Sequence, residues 1–211
     1  MKLFLASLAS ETLDLVLPLL PDEPKNIKLA FIPTAADPYP VDKRPWMVAD
    51  RAKAVSLGFQ ITDYDIKGKS VDTLRSDLSQ YQVIFVDGGN TYYLLDQIKK
   101  SGLDIVIREL LNSGVVYIGS SAGSCIMCST IDYVELVEHK EVVPNMTEYD
   151  GLSLIDKLIL PHYGRSKYAD RHGDILAIKK YGNQILPLRD DQAVIVNGDE
   201  TEIVTSKGVN I

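Results

Sequence analysis

Gly119-Ser120-Ser121-Ala122-Gly123 closes the apolar run VVYIG with the spacing G-x-S-x-G. That spacing suits a strand that turns abruptly into a helix, with the central residue strained and its hydroxyl held at the sheet edge. The residues two before and two after must be small, because strand and helix then lie close together. Ser121 is the central residue, and Ser120 points elsewhere. The helix N-terminus that follows favours developing negative charge. The chemistry this predicts is attack by a serine oxygen. A packing turn rich in small residues has the same pattern, so the five residues alone leave both readings open.

A serine nucleophile needs a base within hydrogen-bond reach. His162, in KLILPHYG, follows an apolar run and is expected at a strand end, with Pro161 fixing the approach of the chain. His139 lies in the charged VELVEHKEVV, an expected solvated edge, and His172 in YADRHGDIL, on an expected helix face. Both suit the role less well. The imidazole in turn needs a carboxylate to fix its tautomer. Asp190 and Asp191, in LPLRDDQAVIV, are the candidates; neighbours on an extended segment face opposite ways, so only one of them can reach inward. An oxyanion needs N–H donors. FVDGGNTYYLL ends a strand in Gly88 and Gly89 and opens a helix at Asn90 or Thr91, both good N-caps. Those glycines allow close backbone approach, and the amide of Ala122 is the expected second donor. DGGNT lacks the G-x-G-x-x-G and Walker patterns, which argues against a nucleotide cradle.

These residues must be positioned by an alternating array of elements. KLFLAS, IKLAFIPTA, FQITDYDI, QVIFVDGG and GVVYIGSS read as buried strands, separated by expected helices over 45–57, 71–78, 91–100 and 104–111. Continuous apolar strands with intervening helices predict a mostly parallel sheet covered on both faces, a three-layer α/β/α sandwich. QILPLRD, QAVIVNG and TEIVTS predict a small antiparallel meander at the C-terminus. Ligands collect at the carboxyl ends of such strands. PTAADPYP, DGGNTYY, GSSAGS and PHYGRS all fall there.

The chain has 211 residues and fits a single domain spanning 1–211, with no internal repeat or linker. A net charge of −7 argues against binding nucleic acid. No run of about 18 apolar residues marks a membrane span. The opening MKLFLASLASETL imitates a secretory leader, but its apolar run before ASLAS is too short, so a strand and then a helix are expected. A cytoplasmic protein is the reading. Cys125 and Cys128 form C-x-x-C without further zinc ligands nearby, and are expected to be small core residues. No metal and no organic cofactor is expected.

VDGGNTYYLL, YIGSSAGS and LILPHYG, in this order and at these separations, resemble the peptidase S51 family, which includes dipeptidase E (alpha-aspartyl dipeptidase) and the cyanophycinases. The likeness covers most of the chain. It implies a flavodoxin-like, class I glutamine amidotransferase-like sandwich and a serine peptidase in the chain order serine, histidine, acid. By position Ser121 matches the nucleophile, His162 the base, and Gly88 and Gly89 the oxyanion loop. Asp190 best matches the third member, where dipeptidase E has glutamate, and Ser120 stands where dipeptidase E has tryptophan. The likeness further implies small peptide substrates, with an N-terminal aspartate read by an arginine. Arg165 and Arg171 are the candidates, and Asn90 of the glycine loop is a further substrate-binding candidate. The expected activity is that of a serine exopeptidase on short peptides, as monomer or homodimer. A different peptide specificity, non-aspartyl or isoaspartyl, and a non-hydrolytic ligand-binding module on the same fold are the alternatives.

Overall fold

The computed structural model describes residues 1–206. Residues 207–211, the end of the expected 1–211 unit, lie outside that range. In chain order the elements are β1 (Lys2–Ala6), α1 (Ala9–Thr12), β2 (Lys28–Ile32), α2 (Pro45–Ser56), β3 (Gln60–Asp63), α3 (Val71–Leu78), β4 (Val83–Val86) and α4 (Thr91–Ser101). Then come α5 (Leu103–Asn112), β5 (Val116–Ser120), α6 (Ala122–Cys125), β6 (Leu158–Leu160), α7 (Ala169–Leu176), β7 (Ile185–Pro187), β8 (Gln192–Asn197) and β9 (Glu200–Thr205). The expected helices agree with α2 to α5 to within a residue at each end.

A seven-stranded sheet has the order β3-β2-β4-β5-β1-β8-β9. The first five strands in that order are parallel, and β8 and β9 add antiparallel at the β1 side. The period-two alternation of a strand sends successive side chains to opposite faces. Leu3 and Leu5 of β1, Ala30 and Ile32 of β2, and Ile84 and Val86 of β4 pack on one face with Leu94, Ile98, Val106 and Leu110 of α4 and α5. Phe4, Phe31, Phe85 and Ile118 point to the other, where α1, Leu13, Val16 and Ala54 of α2 cover them. Both faces are apolar because both are buried, which is why these strands read as unbroken hydrophobic runs. The fold is thus an α/β/α sandwich with antiparallel strands at its C-terminal end.

The three-strand meander is corrected in one respect. QILPLRD does not join β8 and β9; its strand β7 runs parallel to β6 in a separate two-stranded sheet. Ile185 and Leu188 are buried beside Leu158, Leu160 and Ile175, so this strand satisfies its apolar side chains away from the large sheet. The pairing continues past the strand ends, with Leu188 N–H donating to Leu160 O at 2.9 Å and Tyr163 N–H to Leu188 O at 3.0 Å. It thereby sets the segment holding Asp190 beside the one holding His162.

Candidate active site

The turn between β5 and α6 has the strain its spacing predicts. Ser121 adopts φ 49° and ψ −107°, a conformation rarely occupied by a residue with a side chain. The small flanking residues are a steric requirement. A Cβ on Gly119 would lie 2.6 Å from Gly123 O, and one on Gly123 would lie 2.1 Å from Val86 O. Ala6 O, at the end of β1, accepts from Ser121 N–H at 3.0 Å and from Ser124 Oγ at 2.8 Å, which ties the bend to the sheet.

Three distant segments meet above this turn. Ser121 Oγ lies 3.0 Å from His162 Nε2, and His162 Nδ1 lies 2.7 Å from Asp190 Oδ1. A carboxylate at Nδ1 fixes the proton there, leaving Nε2 as acceptor for the serine hydroxyl. His162 itself has φ 60°, held in part because its N–H donates to Ser7 Oγ at 2.7 Å. The Ser7 hydroxyl donates onward to Asp190 Oδ1 at 3.2 Å. Arg165 Nε donates to the other Asp190 oxygen. Burial raises the Asp190 pKa, but the hydrogen bond and charge of His162, followed by those of Arg165, outweigh it and hold the carboxyl below its ordinary value. Of the two aspartates, Asp190 faces the histidine. Asp191 instead pairs with Arg189, at 3.0 and 3.1 Å.

The serine opens into a cavity of about 640 Å³. Gly88 and Gly89 form one rim and Ser121 with His162 the other. Among the described residues, the amides of Gly89 and Ala122 donate to no protein group, which leaves them available to an oxyanion. Gly89 has φ 149°, and a Cβ there would lie 2.1 Å from Ala35 O, so no larger residue fits. Trp46 Nε1 donates to Gly88 O at 3.1 Å and fixes the loop from α2. Leu8, Pro45, Trp46, Val134 and Val137 give the walls an apolar character, Glu11, Arg165 and Lys167 supply charge, and burial pushes the Glu138 pKa up to about 7.

The expected substrate-binding residues fare differently. Arg165 lines the cavity but spends its Nε on Asp190. Arg171 is exposed on α7 and does not line it. Asn90 does not line the cavity and acts as a helix cap. It is buried, its Oδ1 accepts from Tyr93 N–H at 2.9 Å at the start of α4, and its Nδ2 donates to His139 O at 2.9 Å. His139 is exposed, as its charged surroundings suggest. His172 is on the expected helix, yet is buried and lines the cavity. Its ring stacks at 6.0 Å on Tyr163 and lies 5.5 Å from Tyr168, which stacks on His162. Burial, then the nearby charges of His162 and Arg171, push its pKa down. Cys125 and Cys128 are free and buried, and burial pushes both thiols up, Cys128 to about 11.

Sequence reasoning passed over Ser7, Trp46, Glu138 and Lys167. Ser7 had one signal, its place at the carboxyl end of a strand where ligands collect. Glu138 accepts from Thr91 N–H and Thr91 Oγ1, both at 2.6 Å, so it closes a helix N-terminus across a gap of 47 residues that no local pattern reveals.

A strained serine at the carboxyl edge of a parallel sheet, backed in space by histidine and aspartate, places the molecule among the serine hydrolases of α/β architecture. The order serine, histidine, acid along the chain separates it from the α/β-hydrolases, whose acid precedes the histidine. The model of peptidase family S51 matches residues 3–204, and the chain belongs to that family. It is a serine peptidase. An uncharacterized peptidase of Listeria monocytogenes is 32% identical over 88% of this chain and 91% of its own. A probable alpha-aspartyl dipeptidase of Drosophila melanogaster is 28% identical over 88% and 76%. Peptidase E of Escherichia coli is 29% identical over 72% and 62%. The crystal structure of a candidate peptidase E protein from Listeria monocytogenes superposes with a TM-score of 0.87 at 29% identity, covering 97% of this chain and 98% of that one. Among the described residues no helix is long and apolar enough to cross a membrane.

Proposed function

We propose that the protein is an exopeptidase that removes the first residue of short peptides through an acyl-enzyme on Ser121. Ser121 attacks the carbonyl of the first peptide bond while His162 takes its proton. The amides of Gly89 and Ala122, with Gly88 shaping the loop, receive the oxyanion. His162 gives the proton to the departing amine, then activates the water that releases the acyl group. Asp190 holds the imidazole in one tautomer throughout. The observation that carries this reading is the continuous chain of contacts from Ser121 Oγ to His162 and on to Asp190, at 3.0 and 2.7 Å. A cavity of about 640 Å³ suits a short peptide, not a folded chain.

The first residue in this reading is aspartate, as the name of the Drosophila relative suggests. Lys167 supports it, because it lines the cavity with its ammonium 5.2 Å from the Tyr168 ring centroid and without an ion pair among the described residues. A second reading, an uncharged first residue, draws on the apolar walls and on the engagement of Arg165 with Asp190. The catalytic unit acts on small peptides alone, with neither nucleic acid nor membrane as partner, as a monomer or homodimer. Two free thiols fit a reducing compartment, the cytoplasm.

A fluorophosphonate probe tests the nucleophile: labelling is expected on Ser121 and lost in Ser121→Ala. Labelling elsewhere, or an active Ser121→Ala enzyme, refutes it. A panel of N-terminal dipeptides, with Lys167→Ala alongside, tests the specificity. The aspartyl reading expects KM for the aspartyl peptide alone to rise in that variant. Preference for an apolar first residue, unchanged by the variant, selects the second reading.

A further inference from the structure

Beneath the elbow lie two carboxyl groups that the scheme above does not use. Asp50, on α2, and Asp87, between β4 and Gly88, are both 0% exposed. Asp50 is well supplied with donors: its Oδ1 accepts from Ser10 N–H at 2.7 Å and its Oδ2 from Ser120 Oγ at 2.6 Å. Ser120 Oγ accepts in turn from Ala9 N–H at 3.1 Å. Asp87 is the opposite case. Among the described residues neither of its carboxyl oxygens receives a hydrogen bond of ordinary geometry, and the Gly88 N–H is the one backbone donor that favours its charge. A buried carboxylate so poorly supplied with donors costs several kcal/mol, on the order of what a lost ion pair costs, so the ionised form does not fit this site.

Among the described residues Asp50 is the one charged group that acts on Asp87. The groups that hydrogen-bond to the pair, directly or through Ser120, are neutral: the Ser120 hydroxyl from β5, the Ala9 and Ser10 amides from α1, and the backbone of Gly88, and among the described residues no cation pairs with either carboxyl. Two buried carboxylates facing each other without a cation cannot both ionise. One proton resolves the conflict. Carried by Asp87, it donates to Asp50, which then accepts from an amide, a hydroxyl and a carboxyl. Burial and the negative charge of Asp50 both push the Asp87 pKa well up, in keeping with this assignment.

We propose that Asp50 and Asp87 share a proton and, as positioning residues, hold the Gly88–Gly89 oxyanion loop in register with the Ser121 elbow. Trp46 and Asp50 stand four residues apart on α2 and so share a face of that helix. Trp46 grips the loop at Gly88 O, and Asp50 grips it one residue earlier, at Asp87. The same Asp50 carboxylate holds Ser120, the residue before the nucleophile. The two oxyanion donors come from different strand ends, Gly89 after β4 and Ala122 after β5. One carboxylate on one helix links both.

The sign of the pH effect follows. A carboxyl whose folded pKa is raised stabilises the fold fully below its ordinary value of 3.8, and that contribution is lost as pH rises through the folded value. Above it, two negative charges oppose each other behind the loop. Labelling by the fluorophosphonate should therefore fall on the alkaline side through loss of loop geometry.

The inference rests on Ser121 as nucleophile, so the test has one arm that does not. Infrared difference spectra at neutral pH, wild type minus Asp87→Asn, should show the carbonyl stretch of a protonated carboxylic acid; Glu138, whose pKa burial pushes up to about 7, contributes to both and cancels. Fluorophosphonate labelling rates, which are independent of peptide preference, are then followed against pH. Asp87→Asn keeps a donor without a titrating proton. It should label within about threefold of wild type and lose the alkaline fall. Asp87→Leu removes the donor and should slow labelling about 100-fold, the order seen when one oxyanion donor is lost. The proposal is overturned by a missing infrared band, by equal slowing in both variants, or by an unchanged alkaline fall in Asp87→Asn. Should Asp87→Leu not fold, the band and the Asp87→Asn profile decide. A wild type that shows the band but never labels would instead overturn Ser121, and the positioning role with it, leaving a buried pair.

Discussion

Removing the Ser7 hydroxyl tests how the triad is held together. Ser7 is fully buried at the end of β1 and does not line the cavity. Its oxygen accepts from His162 N–H at 2.7 Å and donates to Asp190 at 3.2 Å, so it fixes both the backbone of the base and the carboxylate that orients its ring. His162 has φ 60°, which costs a residue with a side chain about 1–2 kcal/mol and persists only if its surroundings enforce it. In Ser7→Ala the His162 N–H loses its partner, at about 1–3 kcal/mol, and Asp190 loses a donor to a charged group, at about 1.5–3 kcal/mol. The His162 and Asp190 side chains remain 20% and 22% exposed, so water replaces part of this and the lower ends apply. The expected loss of stability is roughly 2.5 kcal/mol. If about 1.4 kcal/mol of that appears as misorientation of the ring, kcat falls roughly tenfold. KM should scarcely move, because no substrate contact is lost. Urea unfolding and steady-state hydrolysis of an aminoacyl-nitroanilide measure both quantities. A Ser7→Ala enzyme with wild-type stability and kcat refutes the reasoning, and so does one whose loss lies in KM alone.

The two neighbouring aspartates should separate cleanly. Asp190→Asn is expected to lower kcat by about 10³- to 10⁴-fold through the wrong histidine tautomer, whereas Asp191→Ala, which frees only Arg189, should stay within about twofold. The lowered Asp190 pKa adds a pH signature: its stabilising contribution is complete above the ordinary value of 3.8 and is lost as pH falls through the lower folded value. The stability difference between wild type and Asp190→Asn should accordingly shrink below that point in urea titrations at several pH values. Gly123→Ala places a Cβ 2.1 Å from Val86 O and should destabilise by roughly 3 kcal/mol or more, with kcat reduced because the elbow must move. An alanine variant with wild-type stability would remove the steric account of the turn.

What could be read from the sequence was local or periodic. The five parallel strands announce themselves as unbroken apolar runs because both their faces are buried, and the elbow because close approach of strand and helix demands glycine on each side of Ser121. QILPLRD misled because three short strands in succession suggest a meander, and nothing local says that Ile185 and Leu188 pack beside β6. Asn90 was legible as a cap as well, since α4 begins at Thr91, and the capping bond it makes is what the sequence could specify. His172 looked like a helix-face residue, and it is one; the tyrosines that enclose it, Tyr163 and Tyr168, make that face an inner one. The residues missed altogether act across the chain: Ser7 reaches over 155 residues to His162, and Asp50 over 70 to Ser120.

That pattern has a mechanical reason. Ser121 belongs to the large sheet, while His162 and Asp190 follow the strands of the small two-stranded sheet. Two sheets that share no strand pairing must be registered by other contacts if Ser121 Oγ is to meet His162 Nε2 within hydrogen-bond distance. Ser7 supplies one such contact, since it ends β1 in the large sheet and binds both residues from the small one. Cys125 Sγ of α6, the helix following β5, supplies another at a distance from the chemistry, contacting Ile159 O in β6 at 3.4 Å, a carbonyl that also accepts from the buried Tyr133 hydroxyl. The C-x-x-C pair thus packs between the helix after the nucleophile and the strand before the base, where small, apolar and weakly polar side chains let the two sheets approach. Larger residues at Cys125 would push the base away from the serine without touching either, so their effect should fall on kcat and leave the substrate walls intact.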